Sequence, residues 1–173
     1  DLKFDNDLPF QLIATDGGFV NKPETMQSLT LGAGERAEIL VDLSKVEGDS
    51  LTLWNNEMEL LPIRLSGERK VVQYANSLNE IEITDELLNA EPSKVVTMEG
   101  MTKNFLLNGQ TFDPERIDFK QEQGVTEVWE IENVMSDEGA MAHPFHIHGT
   151  QFLVLSVNGE TPDESLQGYK DTV

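Results

Sequence analysis

Short apolar segments separated by turn-forming residues recur along the chain and constrain its fold most. They are FQLIATDGGFV, RAEILVDLS, SLTLW, KVVTM, NFLLNG, VTEVWEIEN and QFLVLSVNG, with glycine, asparagine, aspartate and proline between them. In RAEILVDLS the apolar side chains alternate, with one face made by Ala37, Ile39, Val41 and Leu43. Alternation over such lengths is typical of half-buried strands, so the pattern predicts an antiparallel all-β sandwich or barrel.

One stretch favours a helix, and the region around it favours a linker. Residues 85–92, DELLNAEP, could form about two turns before Pro92 ends them. Residues 66–92 as a whole carry mixed charge and no clean period. We expect them to link two β modules, although a long loop within one domain remains the alternative. The predicted division is residues 1–66, a linker at 67–92, and residues 93–173.

The chain is strongly acidic, which bears on its partners. The chain has 12 Lys and Arg but 32 Asp and Glu, and its formal net charge is −20 at pH 7. Such a surface repels phosphate backbones and anionic lipids, so we expect neither nucleic acid nor membrane as a partner. No apolar run reaches the roughly 18 residues of a membrane span. Because the chain begins with Asp1 rather than Met, we expect it to be an excised segment of a longer protein.

All three histidines lie within the segment HPFHIH, at His143, His146 and His148. If the backbone is extended from Phe145 onward, His146 and His148 point the same way and can reach one metal centre or two adjacent ones. Pro144 cannot join a central ladder and restricts His143 to extended conformations, so His143 should face elsewhere. One short segment could therefore serve two sites.

Imidazole donors without cysteine or nearby carboxylate favour copper, with zinc next. A cupin-type site also uses H-x-H but needs a glutamate shortly after it, where this chain has Thr150, Gln151 and Phe152. Surface histidines, or core histidines held by hydrogen bonds, are the plain alternative. Their clustering in a chain with no other histidine favours metal binding.

The segment HPFHIHGTQFLVL resembles the H-P-x-H-x-H segment in the last cupredoxin domain of the multicopper oxidases. The similarity extends to FLLNGQTFDPERIDFKQEQGVTEVWEIEN and GYKDTV in the same domain, and to PFQLIATDGGFV and LTLGAGERAEILVDLS in the preceding one. The resemblance implies incomplete cupredoxin-like Greek-key β-sandwich modules. Residues 1–66 would be the C-terminal part of one module, and residues 93–173 the N-terminal part of the last, copper-ligating one.

The resemblance also implies a role for each histidine. His143 matches a ligand of the type 1 copper, which takes electrons from the reductant. His146 matches a ligand of the type 2 copper and His148 a ligand of the type 3 pair, where dioxygen is reduced to water. The reductant of the family is a small molecule such as a phenol, a diamine or a bilin, or Cu(I).

The remaining ligands of the family are expected outside this chain. The H-C-H segment, with the type 1 cysteine, should follow Val173, and the paired H-x-H segments should precede Asp1. We therefore expect the chain alone to be inactive as an oxidase, and to associate with its missing parts or to form an oligomer. Many relatives are exported, so an extracytoplasmic location is expected. A copper-free structural or assembly protein on a cupredoxin scaffold is the alternative, and a zinc-binding β module unrelated to oxidases is a further one.

Several other residues admit two interpretations. Met141, with Asp137 and Glu138, could belong to a Cu(I)-docking loop, but a flexible loop with a core-filling methionine is favoured. Asp171 could hydrogen-bond a ligand histidine or cap a turn. Four large side chains are expected in the core, namely Met98, Met101, Trp54 and Trp129. Two glycines, Gly32 and Gly34, are expected in turns.

Overall fold

The computed structural model describes residues 1–68, 70, 73–100, 105–135 and 141–173. Within these residues the chain forms ten strands, one short α-helix and three 3-10 turns, so the expected all-β class is confirmed. The chain divides into two compact units, of which the first joins Asp1–Glu82 to His146–Val173 and the second is Ile83–Phe145. The domain boundaries expected from the sequence stay a prediction.

Seven strands of the first unit form two antiparallel sheets. The strands are β1 (Leu2–Phe4), β2 (Phe10–Thr15), β3 (Gly18–Met26), β4 (Ser28–Leu29), β5 (Glu38–Val41), β6 (Ser50–Asn55) and β7 (Met58–Arg64). One sheet has the order β4-β1-β6-β7 and the other the order β3-β2-β5. Strand β7 contains Pro62 and lies at a sheet edge, where a residue without an N–H is tolerated.

The core of this unit is built from apolar side chains of both sheets. Its buried members are Phe4, Phe10, Leu12, Leu29, Val46 and Leu51. The predicted apolar face is confirmed at β5, because Ile39 and Val41, together with Ala37 just before the strand, pack against this cluster. Leu43 departs from that face. It opens the 3-10 turn Leu43–Lys45, which the side chain of Asp42 caps at Ser44, and it is left exposed.

The second unit contains a small sheet of β8 (Lys94–Glu99), β9 (Leu106–Leu107) and β10 (Trp129–Asn133), in the order β10-β8-β9. Strands β8 and β10 run parallel, which differs from the expectation of antiparallel pairing throughout. The helix α1 (Asp85–Leu88) starts at the cap of Thr84 and is shorter than the two turns predicted. Its C-cap is Asn89, whose side-chain amide donates to the Asp85 carbonyl and closes the last turn.

Two other sequence expectations differ from the structure. QFLVLSVNG forms no continuous strand, because its described backbone pairs only through bridges of Phe152 with Lys170 and Val157 with Glu160. Trp54 and Trp129 lie on strands but are only partly buried, and their indole N–H groups donate to Asp5 and Glu127. An indole with its polar edge at the surface explains their place outside the core. Among the described residues, no helix is long and apolar enough to cross a membrane.

Candidate metal centre

His146 is held by its neighbours through one ring nitrogen. It pairs with Thr172 in an antiparallel bridge, and its Nδ1 atom lies 2.7 Å from the Asp171 carbonyl oxygen and 3.0 Å from the Thr172 hydroxyl. The same carbonyl accepts the backbone N–H of Ile147 at 3.1 Å. No described residue hydrogen-bonds the Nε2 atom. A ring that donates from Nδ1 to a carbonyl keeps the lone pair of Nε2 for a metal.

His148 lies beside His146, as their two-residue spacing predicts. The ring centroids are 4.8 Å apart and the planes meet at 66°. Both side chains border an open cleft of about 510 Å³, whose lining also includes Gln151 and Asp171. Within the described part of the chain, neither ring nitrogen of His148 makes a hydrogen bond. The cleft thus presents two accessible imidazole donors close together.

His143 belongs to the second unit and has other surroundings. Its Nδ1 atom lies 2.7 Å from the side-chain oxygen of Asn133, and its Nε2 atom 2.9 Å from the carbonyl oxygen of Gly100. The Asn133 amide donates to the Met141 carbonyl at 2.8 Å, which fixes its oxygen toward the ring. The ring also meets Phe105 edge to face. Both nitrogens are engaged, so metal binding at His143 requires one of these contacts to open.

These donors do not complete a metal site by themselves. Over the described ranges, no group of three or more His, Cys, Asp or Glu side chains could hold a metal ion. The imidazole groups of His146 and His148 are ligand types that copper and zinc accept. Further donors must complete the coordination.

The structure confirms one expectation about the methionines and contradicts another. Met141 is 42% exposed, so the expectation of a core-filling methionine is wrong, because its side chain lies at the surface. Met98 is buried, as expected. Asp137, Glu138 and Met101 fall outside the described residues.

Asp171, whose carbonyl contacts His146, is held by Arg36 from the N-terminal part of the chain. The Arg36 guanidinium donates to both carboxylate oxygens of Asp171, at 2.5 and 2.6 Å. These hydrogen bonds hold the pKa of Asp171 well below its ordinary value, and the hydroxyl of Thr172 adds to the effect. The carboxylate lies 3.6 Å from Nδ1 of His146, whereas the carbonyl is close enough for a hydrogen bond. Asp171 therefore contacts the histidine mainly through its backbone.

Sequence reasoning missed the charged residues that surround Asp171. Asp16, Glu35, Arg36 and Lys170 form one ion-pair network with it. Asp16 stands before a glycine pair, and Glu35 and Arg36 follow G-x-G, so both places read as ordinary turns. Gly32 and Gly34 do occupy such a turn, with Gly34 at φ 93°. No local pattern indicates that these turns contact residues 166–173, which we call the C-terminal segment.

The fold and the histidine segment define the chain as a β-sandwich protein that presents imidazole donors within a few residues. Residues 87–173 match the family model described as multicopper oxidase. The chain belongs to the multicopper oxidase family. Its expected cupredoxin-like fold is confirmed by a crystal structure of a multicopper oxidase from Pediococcus acidilactici, with TM-score 0.89 at 31% identity. That match covers 99% of this chain and 37% of the other.

Curated relatives extend the comparison over nearly all of the chain. It is 41% identical to the multicopper oxidase mco of Staphylococcus haemolyticus over 99% of its own length and 36% of the relative's. It is 32% identical to the cell division protein FtsP of Xenorhabdus nematophila over 99% of its own length and 38% of the relative's. The chain thus spans little more than a third of the length of these relatives.

Proposed function

We propose that this chain supplies three copper ligands to an oxidase that couples oxidation of a small reductant to reduction of dioxygen. His143 is assigned to the type 1 copper, His146 to the type 2 copper and His148 to one copper of the type 3 pair. Family membership and the match of HPFHIH to the family's histidine segment support these assignments. The full reaction belongs to the longer assembly, whose length the chain covers only in part.

The observation that carries the proposal is the arrangement of His146 and His148. Their rings lie 4.8 Å apart at an open cleft, and His146 is fixed through Nδ1, so Nε2 is left as the donor. A histidine fixed by a carbonyl on its second nitrogen is the usual arrangement of a metal ligand.

Copper held by such ligands supplies one-electron oxidation of the reductant and four-electron reduction of dioxygen. Four one-electron oxidations and four protons convert one dioxygen to two water molecules. The role of this chain is to hold the ligand histidine rings and to keep the cleft at His146 and His148 open to solvent. Since all the reductants considered are small, the partners we propose are such a molecule and dioxygen.

The type 1 thiolate must come from outside residues 1–173, because the chain contains no cysteine. We expect the gene to encode an H-C-H segment beyond Val173 and paired H-x-H segments before Asp1. Sequencing the flanking regions tests this. Non-ligand residues at those places would contradict the oxidase assignment and favour the copper-free alternative.

Copper uptake by the chain itself tests the role of His146. The wild-type chain, His146→Ala and Gln151→Ala are dialysed against Cu(II), and bound copper is measured per chain. We expect His146→Ala to lose most of the bound copper. Gln151→Ala is the matched control, since Gln151 lines the same cleft, and it should retain copper. Unchanged uptake in His146→Ala would refute the assignment.

A copper-free structural or assembly protein is the second candidate. The identity to FtsP of Xenorhabdus nematophila, whose name assigns it to cell division, favours this candidate. So does the engagement of both His143 nitrogens within the protein. Absence of copper uptake by the wild-type chain, together with the absence of an H-C-H segment in the gene, would select this candidate. We also propose an extracytoplasmic location for either candidate, because many members of the family are exported.

A further inference from the structure

Asp16 is a buried charge that the ligand assignments leave without a role. It follows β2 in the turn before β3, and its side chain is 0% exposed. Burying a carboxylate is costly unless hydrogen bonds and ion pairs compensate it, so the partners of Asp16 indicate what it holds in place.

Those partners come from two separate segments of the first unit. The Oδ1 atom accepts the backbone N–H of Arg36 at 2.6 Å. The Oδ2 atom lies 3.2 Å from the ammonium of Lys170, and 3.4 and 3.3 Å from the backbone nitrogens of Asp171 and Thr172. One carboxylate thus receives two consecutive amides of the segment that contacts His146.

The peptide group between Asp171 and Thr172 transmits this contact to His146. Its N–H, on Thr172, points to Asp16, and its carbonyl oxygen, on Asp171, accepts from Nδ1 of His146. A trans peptide is planar and its N–H and C=O point in opposite directions. Fixing the N–H on the buried carboxylate therefore aims the carbonyl at the imidazole.

The charge of Asp16 strengthens the same effect. Hydrogen bonds in a chain polarise one another, so an amide that donates to an anion has a better acceptor at its carbonyl. A stronger acceptor opposite Nδ1 favours the tautomer with its proton on Nδ1. That tautomer leaves the lone pair on Nε2, the nitrogen without a partner among the described residues.

We propose that Asp16 is a positioning residue for His146, acting through the Asp171–Thr172 peptide to hold the ring in the tautomer that offers Nε2 to a metal. The proposal rests on the proposed function, which makes His146 a copper ligand. It adds Asp16, 130 positions upstream of His146, to the residues that prepare the ligand.

The first test uses the metal-free 173-residue chain and needs no substitution. Long-range ¹H–¹⁵N NMR reports the tautomer of each of the three histidines. We expect His146 to carry its proton on Nδ1, while His148, without a hydrogen bond among the described residues, shows a mixture. A proton on Nε2 of His146 in the wild-type chain would overturn the proposal.

The second test removes the charge. Asp16→Asn keeps the shape but leaves the buried Lys170 ammonium paired only with Glu35, so Asp16→Asn/Lys170→Met, which removes both charges of the Asp16–Lys170 pair, is made as well. In whichever variant folds, we expect the His146 signals to shift toward a tautomer mixture. We expect Cu(II) affinity to fall about 10- to 100-fold, the range for loss of a partner that orients a metal ligand.

Glu35→Gln is the matched control. Glu35 contacts the same Lys170 ammonium at 2.8 Å, but none of its hydrogen bonds reaches Asp171 or Thr172. It should leave the His146 tautomer and Cu(II) affinity unchanged. An unaltered tautomer in a folded Asp16 variant, or an equal shift in Glu35→Gln, would overturn the proposal. Unchanged Cu(II) uptake in His146→Ala, relative to a wild-type chain that binds copper, would instead count against the proposed function, since the tautomer is read without metal.

Discussion

Arg36 and Asp171, which lie 135 positions apart in the sequence, form a two-pronged ion pair with N–O distances of 2.5 and 2.6 Å. The same guanidinium also donates to the carbonyl oxygens of Gly34 and Asp16. One side chain therefore ties the loop before β5, the turn after β2 and the C-terminal segment together. This tie holds the peptide that contacts His146.

Arg36→Gln is expected to lower the melting temperature of the chain, because it removes both prongs and leaves Asp171 without its cation. Arg36→Lys should recover only part of the loss, since an ammonium cannot make two parallel hydrogen bonds to one carboxylate. Thermal unfolding followed by circular dichroism measures both. Arg116→Gln is the control, because Arg116 pairs with Asp118 only two residues away and links no distant segments. Equal shifts for Arg36→Gln and Arg116→Gln would contradict this prediction.

Gly168→Ala is expected to loosen the C-terminal segment from β2. A Cβ atom at this position would lie 2.2 Å from the Thr15 hydroxyl oxygen, which itself donates to the Tyr169 carbonyl. Such crowding typically costs about 1–3 kcal/mol. Limited proteolysis should cut the variant faster within residues 166–173. Gly32→Ala is the matched control, because its Cβ would meet only the flexible carboxylate end of Glu35. A cleavage rate like that of the wild type would show that the contact is not tight.

The Lys94–Glu127 pair predicts a pH dependence of stability in the second unit. Hydrogen bonds from Lys94, and then from the Trp129 indole, lower the pKa of Glu127 from 4.5 to about 2. Because the folded pKa is depressed, the pair stabilises the fold above the unfolded value of 4.5, and this contribution is lost as the pH falls toward about 2.

Urea unfolding across that pH range measures the effect. Glu127→Gln should be less stable than the wild type above the window, and the difference should vanish at its lower end. Glu115→Gln, in an exposed loop, controls for the loss of one negative charge. Parallel stability curves for the wild type and Glu127→Gln would rule out the assigned coupling.

Strand β7 is expected to mediate self-association of the chain. It lies at a sheet edge, and Met58, Leu60 and Leu61 are each about half exposed on it. Exposed apolar edge strands offer unpaired backbone groups to other chains. Leu61→Lys should shift the oligomer toward monomer in light scattering, whereas Val125→Lys, at an exposed site in the second unit, should not. A monodisperse wild-type monomer would refute the expectation.

Most strands of the fold could be predicted from the sequence because their signal is local. Alternation in RAEILVDLS places Ala37, Ile39 and Val41 correctly on the core side of β5. The extent of QFLVLSVNG could not be predicted, since a strand also needs a neighbour to pair with. The parallel pairing of β8 and β10 depends likewise on the path of the chain between them.

The histidine donors of the candidate site could be predicted from the sequence, but the residues that hold these histidines in place could not. Three histidines in one segment are visible by inspection, and so is the two-residue spacing that brings the rings of His146 and His148 together. Of the two interpretations of Asp171, the hydrogen bond to a histidine is present in the structure, although the backbone carbonyl of Asp171 makes it. The role of Asp16 could not be read, because it exists only once residues more than 150 positions apart meet.

The buried cluster of Asp16, Lys170 and Glu35 has a consequence for behaviour on warming. Hydration of charged groups becomes less favourable as the temperature rises, so removing these charges from water costs less in hot solution than in cold. The anchoring of the C-terminal segment should then resist heat better than the surrounding apolar contacts do. In a scan, this corner of the sandwich would be among the last parts of the molecule to melt.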